Sequence, residues 1–141
     1  MKVIIIEDDP NKLKAVTSHL TRNGGVDFVT YSSFQSGLRG ILSSTFDLLL
    51  LDMSVPAYDS GRPLPLAGRD ILFLLRRKKI SLRTIILTQY EDFDGISLDN
   101  LHTNLKQEFP DNYLDYVYYN VTQDSWRDKL DSLILEIKGH P

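Results

Sequence analysis

Four consecutive leucines, Leu48 to Leu51, lie inside FDLLLLDMSVP and constrain this chain more than any other stretch. A strand with one wet face alternates apolar and polar side chains, whereas an unbroken apolar run must be covered on both faces. That condition is met in a parallel sheet sandwiched between helices. The run ends in Asp52, a carboxylate at the mouth of a buried strand, which is either a turn-former or a chemically active group.

The remaining chain repeats the pattern. Lys2 to Ile6 is a short β-branched run closed by Glu7, Asp8 and Asp9, and Pro10 suits the first position of a helix. Leu13, Val16 and Leu20 recur at helical spacing as far as about Thr21, before Asn23, Gly24 and Gly25 stop the helix. Val26 to Tyr31 reads as a second, more polar strand, and Ser33 opens a helix through Phe34, Leu38, Ile41 and Leu42. Phe46 to Asp52 is the third strand. Residues 53–67 carry Pro56, Gly61, Pro63 and Pro65, and form a connection longer than the usual ~2 to 6 residues, so this segment is expected to be functional or mobile.

Gly68 to Lys79 reads as a third helix whose basic end, Arg76 to Lys79, suits the helix dipole and is expected to be a solvated terminus. Thr84 to Thr88 is a fourth, nearly all-apolar strand. Tyr90 to Asn112 should hold a fourth helix through Leu98, Leu101 and Leu105, Asp115 to Asn120 a fifth strand, and Asp124 to Lys138 an amphipathic fifth helix. Alternating strands and helices give a doubly wound, flavodoxin-like (βα)5 sandwich with a parallel five-stranded sheet in the order 2-1-3-4-5. Residues 1–141 are expected to form one domain.

Composition narrows the functions. The chain has no cysteine, so disulfides, thiol catalysis and thiolate metal sites are excluded, while oxygen ligands stay available. A net charge of −3 does not favour a nucleic-acid or anionic-membrane surface, and the expected partner is a protein. MKVIII is too short for a signal peptide's apolar core, and no run approaches the ~20 residues of a membrane span, so a cytoplasmic location is expected. His19, His102 and His140 are isolated in sequence and are expected at the surface.

In an open parallel sheet, ligands gather beyond the carboxyl ends of the strands, where strand order reverses. Strand one ends at Glu7 and Asp8, and strand three at Asp52; in the expected order these strands are neighbours ~4.8 Å apart. Two carboxylates about 5 Å apart repel by roughly 3 kcal/mol at an effective dielectric of about 20. A divalent cation with oxygen ligands compensates this most simply, and Mg²⁺ favours one or two carboxylates, waters and a phosphate. Asp9 before Pro10 reads instead as a helix N-cap.

Taken together, VIIIEDDP, FDLLLLDMSVP with Pro56 four residues after Asp52, the threonine of TIILTQ and the strand DYVYYN resemble the receiver domain of two-component response regulators, over essentially the whole chain. The resemblance implies that Asp52 is the phosphoacceptor in a phosphorelay. It implies Mg²⁺ held by Asp8, Asp52 and the Ser54 backbone carbonyl, with Glu7 acting through water. It implies that Thr88 hydrogen-bonds the phosphoryl group and that Tyr116 is the aromatic switch. Where the family carries a lysine followed by proline at the end of strand five, this sequence has Tyr119 and Asn120.

A receiver of this kind is not an enzyme beyond Mg²⁺-dependent self-phosphorylation from a kinase phosphohistidine and its own dephosphorylation. The implied partners are a sensor histidine kinase or phosphotransfer protein and an unidentified downstream protein, with a homodimer also open. A second reading is a pseudo-receiver, an interaction module not switched by phosphorylation. A third is a flavin binder or a haloacid-dehalogenase-like phosphatase, but IIEDDPN lacks the DxDxT arrangement, and no glycine- or hydroxyl-rich phosphate loop follows strand one. No helix-turn-helix or catalytic output is expected after helix five.

Overall fold

The computed structural model describes residues 1–139. Strands β1 (Lys2–Ile6), β2 (Asp27–Tyr31), β3 (Leu48–Leu51), β4 (Thr84–Thr88) and β7 (Tyr113–Tyr118) form one sheet in the order β2-β1-β3-β4-β7. Every pairing in it is parallel. The helices are α1 (Pro10–Asn23), α2 (Phe34–Ser43), α3 (Ala67–Arg77), α4 (Leu98–Glu108) and α5 (Ser125–Gly139). A small antiparallel hairpin, β5 (Asp92–Phe93) with β6 (Ile96–Ser97), stands before α4. This is the expected flavodoxin-like arrangement.

The strand period of two splits the apolar residues between two cores. Ile4, Ile6, Leu49, Leu51 and Ile86 meet Ile41 of α2, Ile71 and Leu75 of α3, and Leu101 and Leu105 of α4. Val3, Ile5, Leu48, Leu50, Ile85 and Leu87 face the other way, onto Val16 and Leu20 of α1 and Trp126, Leu130 and Ile134 of α5. All four leucines of β3 are buried, two on each side. No helix among the described residues is long and apolar enough to cross a membrane.

Local chemistry sets the helix starts. Asp9 caps α1 by accepting from the backbone N–H of Asn11 and Lys12, and Ser33 and Ser36 form a reciprocal capping box at α2. The α3 start has no side-chain cap; instead Gly68 N–H donates to the Met53 carbonyl at 2.9 Å, tying α3 to the chain just beyond Asp52.

Several expectations need correction. The Tyr90–Asn112 segment holds the expected helix through Leu98, Leu101 and Leu105, but ahead of it the chain turns back on itself at Asp94 and Gly95, both with positive φ, to make a hairpin that was not expected. The fifth sheet strand runs from Tyr113 to Tyr118, so Tyr119 and Asn120 lie just past its end. The proline-rich connection is tied down: Pro56 bridges Pro63, Leu64 N–H donates to Val55, and Phe34 N–H donates to Pro56. Arg76 to Lys79 are exposed at the end of α3, as expected, and the Arg76 guanidinium also lies over Phe73 and Phe109 and donates to the Glu108 carbonyl. His19 is buried, paired with Asp131 at 2.8 Å and set edge-on to Trp126, so it clasps α1 to α5. His102 is partly exposed and meets the Tyr113 hydroxyl at 2.7 Å. His140 lies outside the described residues.

Candidate functional site

The parallel register carries β1 and β3 side by side to their carboxyl ends, Ile6 against Leu51. One rung further, Asp52 N–H donates to the Ile6 carbonyl at 3.0 Å, which fixes Asp52 beside Glu7 at the sheet edge. Carboxylate oxygens of Glu7, Asp8 and Asp52 all lie within 4.8 Å of one another. Glu7 and Asp52 are buried, and Asp8 is half-buried. Asp9 is occupied by the helix cap, as its position before Pro10 suggests.

Backbone donors hold the two buried carboxylates. Asp52 Oδ1 accepts from Ser54 N–H at 3.2 Å, and Glu7 Oε2 accepts from Asp9 N–H at 3.2 Å. Ser54 Oγ donates to the Pro65 carbonyl at 3.2 Å, so the residue two past Asp52 is tied into the connection before α3. Burial pushes the Asp52 carboxyl well above the usual range. The Lys12 charge opposes this, and the neighbouring Glu7 adds to it through its charge and a hydrogen bond.

Lys12 is the functional residue that reading the sequence missed. Its side chain is 1% exposed and its ammonium lies 2.6 Å from Glu7 Oε1 and 3.7 Å from Asp52 Oδ1. It donates to the Leu87 carbonyl at 2.7 Å, bridging α1 to the end of β4. The available signal was its place in the helix: Lys12 stands four residues before Val16, on the same inward stripe as Val16 and Leu20. A lysine there has no apolar role to play.

Three carboxylates with one ammonium keep a formal charge of −2, which matches one divalent cation. The donors are hard oxygens, and buried Asp52 gains from a cation that offsets its desolvation, so the residues present fit Mg²⁺. Because Glu7 is engaged by Lys12, Asp8 and Asp52 are the carboxylates best placed to ligate it directly.

Thr88 ends β4 fully buried, and its Oγ1 accepts from Tyr90 N–H at 3.1 Å. Its hydroxyl proton is thereby left free for another acceptor. Tyr116, on the edge strand β7, is engaged elsewhere: its ring is 5.2 Å from His102 and 4.0 Å from the Lys129 ammonium. Tyr119 turns into the core and packs on Trp126 with ring centroids 5.2 Å apart, so its side chain supplies no charge to the carboxylates.

The solved receiver domain protein from Clostridium thermocellum superposes with a TM-score of 0.71 at 25% identity, covering 96% of this chain and 92% of that one. The chain is also 29% identical to the Detocs response regulatory protein DtcB of Enterobacter cloacae, over 97% of its own length and all of the relative's. The chain shares the fold of response-regulator receiver domains and resembles them in sequence over nearly its whole length. Where such receivers carry a lysine at the end of strand five, this chain has Tyr119. The response regulator TrrA from Thermotoga maritima, solved with Mg²⁺ and BeF, matches at a TM-score of 0.62 and 19% identity, over 94% of this chain and 97% of that one. No protein-family model matches.

Proposed function

We propose that this receiver works in a phosphorelay, taking a phosphoryl group onto Asp52 and signalling through protein contacts. The observation that carries the reading is the convergence of Glu7, Asp8 and Asp52 on one sheet edge, with a free hydroxyl proton on Thr88 of the adjoining strand.

The donor is a phosphohistidine of a sensor kinase or phosphotransfer protein. A carboxylate oxygen of ionised Asp52 forms the new P–O bond as the donor's P–N bond breaks, and the histidine nitrogen takes up a proton. Asp52 is a weak nucleophile, so the protein's contribution is placement and charge rather than activation. Ser54 N–H orients the acceptor, and Thr88 donates its hydroxyl proton to a phosphoryl oxygen. Asp8 and Asp52, with the Ser54 carbonyl, would hold Mg²⁺, and Glu7 would act on it through water. Bound there, Mg²⁺ neutralises charge on the transferring group. Tyr116, between α4 and α5, reports the change to a downstream protein. The chain's own chemistry is confined to this transfer and the later hydrolysis of the acyl phosphate, in the cytoplasm where such kinases present their phosphohistidine.

Incubation with Mg²⁺ and acetyl phosphate, followed by intact-mass measurement, tests this. One added phosphoryl group on the wild type, absent from Asp52→Asn, is the expected result. No adduct with acetyl phosphate or with candidate kinases refutes the reading and leaves an interaction module that phosphorylation does not switch.

A further inference from the structure

We infer that Lys12, entering from helix α1, is the cation that faces the phosphoryl group in this protein, in the role that no residue at the end of β7 fills. The inference rests on phosphorylation of Asp52 and names a further residue of that same site.

Burial is the first ground. A lysine ammonium is rarely taken fully out of water unless its partners require it, and Lys12 is 1% exposed. Direction is the second. Of its three protons, one goes to the Leu87 carbonyl and one faces Glu7 Oε1, which apart from this ion pair has no hydrogen-bond partner. Among the described residues the third meets no acceptor, while Asp52 Oδ1 stands 3.7 Å away, beyond a direct hydrogen bond. An oxygen of a group bonded to Asp52 lies within reach of that unspent proton. The two existing contacts hold the ammonium in advance, so little reorganisation accompanies transfer.

Charge is the third ground. A phosphorylated Asp52 carries close to two negative charges, and Glu7 and Asp8 bring two more. One Mg²⁺ offsets half of these. Among the described residues, Lys12 is the one lysine or arginine whose charge lies within 4 Å of Glu7 or Asp52. Tyr119 cannot substitute, because its ring is committed to Trp126.

The experiment measures initial phosphorylation rates by intact mass at saturating Mg²⁺ and acetyl phosphate. Wild type is compared with Lys12→Met, Lys12→Gln, Lys12→Arg, Asp52→Asn and the double variant Lys12→Met with Tyr119→Lys, each verified as folded by circular dichroism. Loss of one positioned donor to developing charge slows such steps by about 100-fold, and that is the expected effect of Met and Gln. Arg is expected to retain part of the rate. Moving the lysine to position 119 is expected to recover at least part of what Lys12→Met loses, a rescue that a purely structural Lys12 does not allow. Mg²⁺ affinity, followed separately by calorimetry, is expected to be unchanged or tighter in Lys12→Met because a neighbouring cation is gone.

A phosphorylated wild type with folded Met and Gln variants reacting within about twofold of it overturns the role of Lys12 alone. So does a rate loss fully explained by weaker Mg²⁺ binding. Absence of any adduct on the wild type, or an adduct that survives Asp52→Asn, overturns the phosphorelay reading and this inference with it.

Discussion

Gly68→Ala probes the contact that joins helix α3 to the acceptor strand. A Cβ at position 68 meets Met53 Cα at 2.9 Å, Met53 Sδ at 3.1 Å and the Asp52 carbonyl at 3.2 Å. Two of these three atoms are backbone, so no rotamer change relieves the clash; the helix start and the chain after Asp52 must separate. Overpacking of this kind costs about 1–3 kcal/mol. Alanine gains up to ~1 kcal/mol over glycine inside a helix, less in the first turn where Gly68 sits. The net expectation is destabilisation by about 1–2 kcal/mol. With an unfolding entropy of about 2.1 cal/mol/K per residue over 141 residues, that lowers Tm by about 3–7 °C.

Thermal melts followed by circular dichroism measure the effect, with Gly139→Ala as control, since among the described residues a Cβ there meets nothing within 4 Å and is expected to change stability by less than about 0.5 kcal/mol. Because Gly68 N–H also holds the Met53 carbonyl, the same variant should shift the Ser54 backbone and weaken stabilisation by added Mg²⁺. A Tm at or above wild type with an unchanged Mg²⁺ midpoint refutes the argument: the methyl would then be accommodated, and the close approach would not position the site.

The raised Asp52 pKa makes metal-free stability depend on pH. Its contribution is fully present below the unfolded-state carboxyl value and is lost as pH rises through the higher folded value. In EDTA, Asp52→Asn is therefore expected to melt above wild type by a margin that widens from about pH 4 upward, and saturating Mg²⁺ should close that gap; a margin independent of pH contradicts the burial argument. Asp9→Ala removes the α1 cap and is expected to cost about 1 kcal/mol by urea unfolding, with phosphoryl uptake retained, because Asp9 is a cap and not a ligand. Loss of Mg²⁺ binding at full stability would reverse that assignment.

Much of the fold is legible in the chain because its signals are local or strictly periodic. The runs of β1, β3 and β4 are apolar on both faces, which a covered parallel sheet accommodates, and Asp9 with Pro10, and Ser33 before Phe34, announce helix starts. Asp52 could be singled out because a carboxylate ending a run of four leucines has to emerge at a strand's carboxyl edge. The β5–β6 hairpin was harder to see: its strands have two residues each, too short to show a period, and the Asp94–Gly95 turn lies beside a strong helical pattern.

What only the tertiary structure decided is where side chains of ambiguous direction end up. His19 looks isolated in sequence, yet packing of α1 against α5 brings it to Asp131, over a hundred positions away. Tyr119 stands where a lysine would face the phosphate, but the Trp126 ring draws it into the core. Lys12 reads as one more basic residue on an amphipathic helix. The rotation at which α1 docks on the sheet places its ammonium against Glu7 and the Leu87 carbonyl, contacts spanning five residues in one direction and 75 in the other. The carboxylates are written in the chain; the cation among them is set by how a helix lies on a sheet.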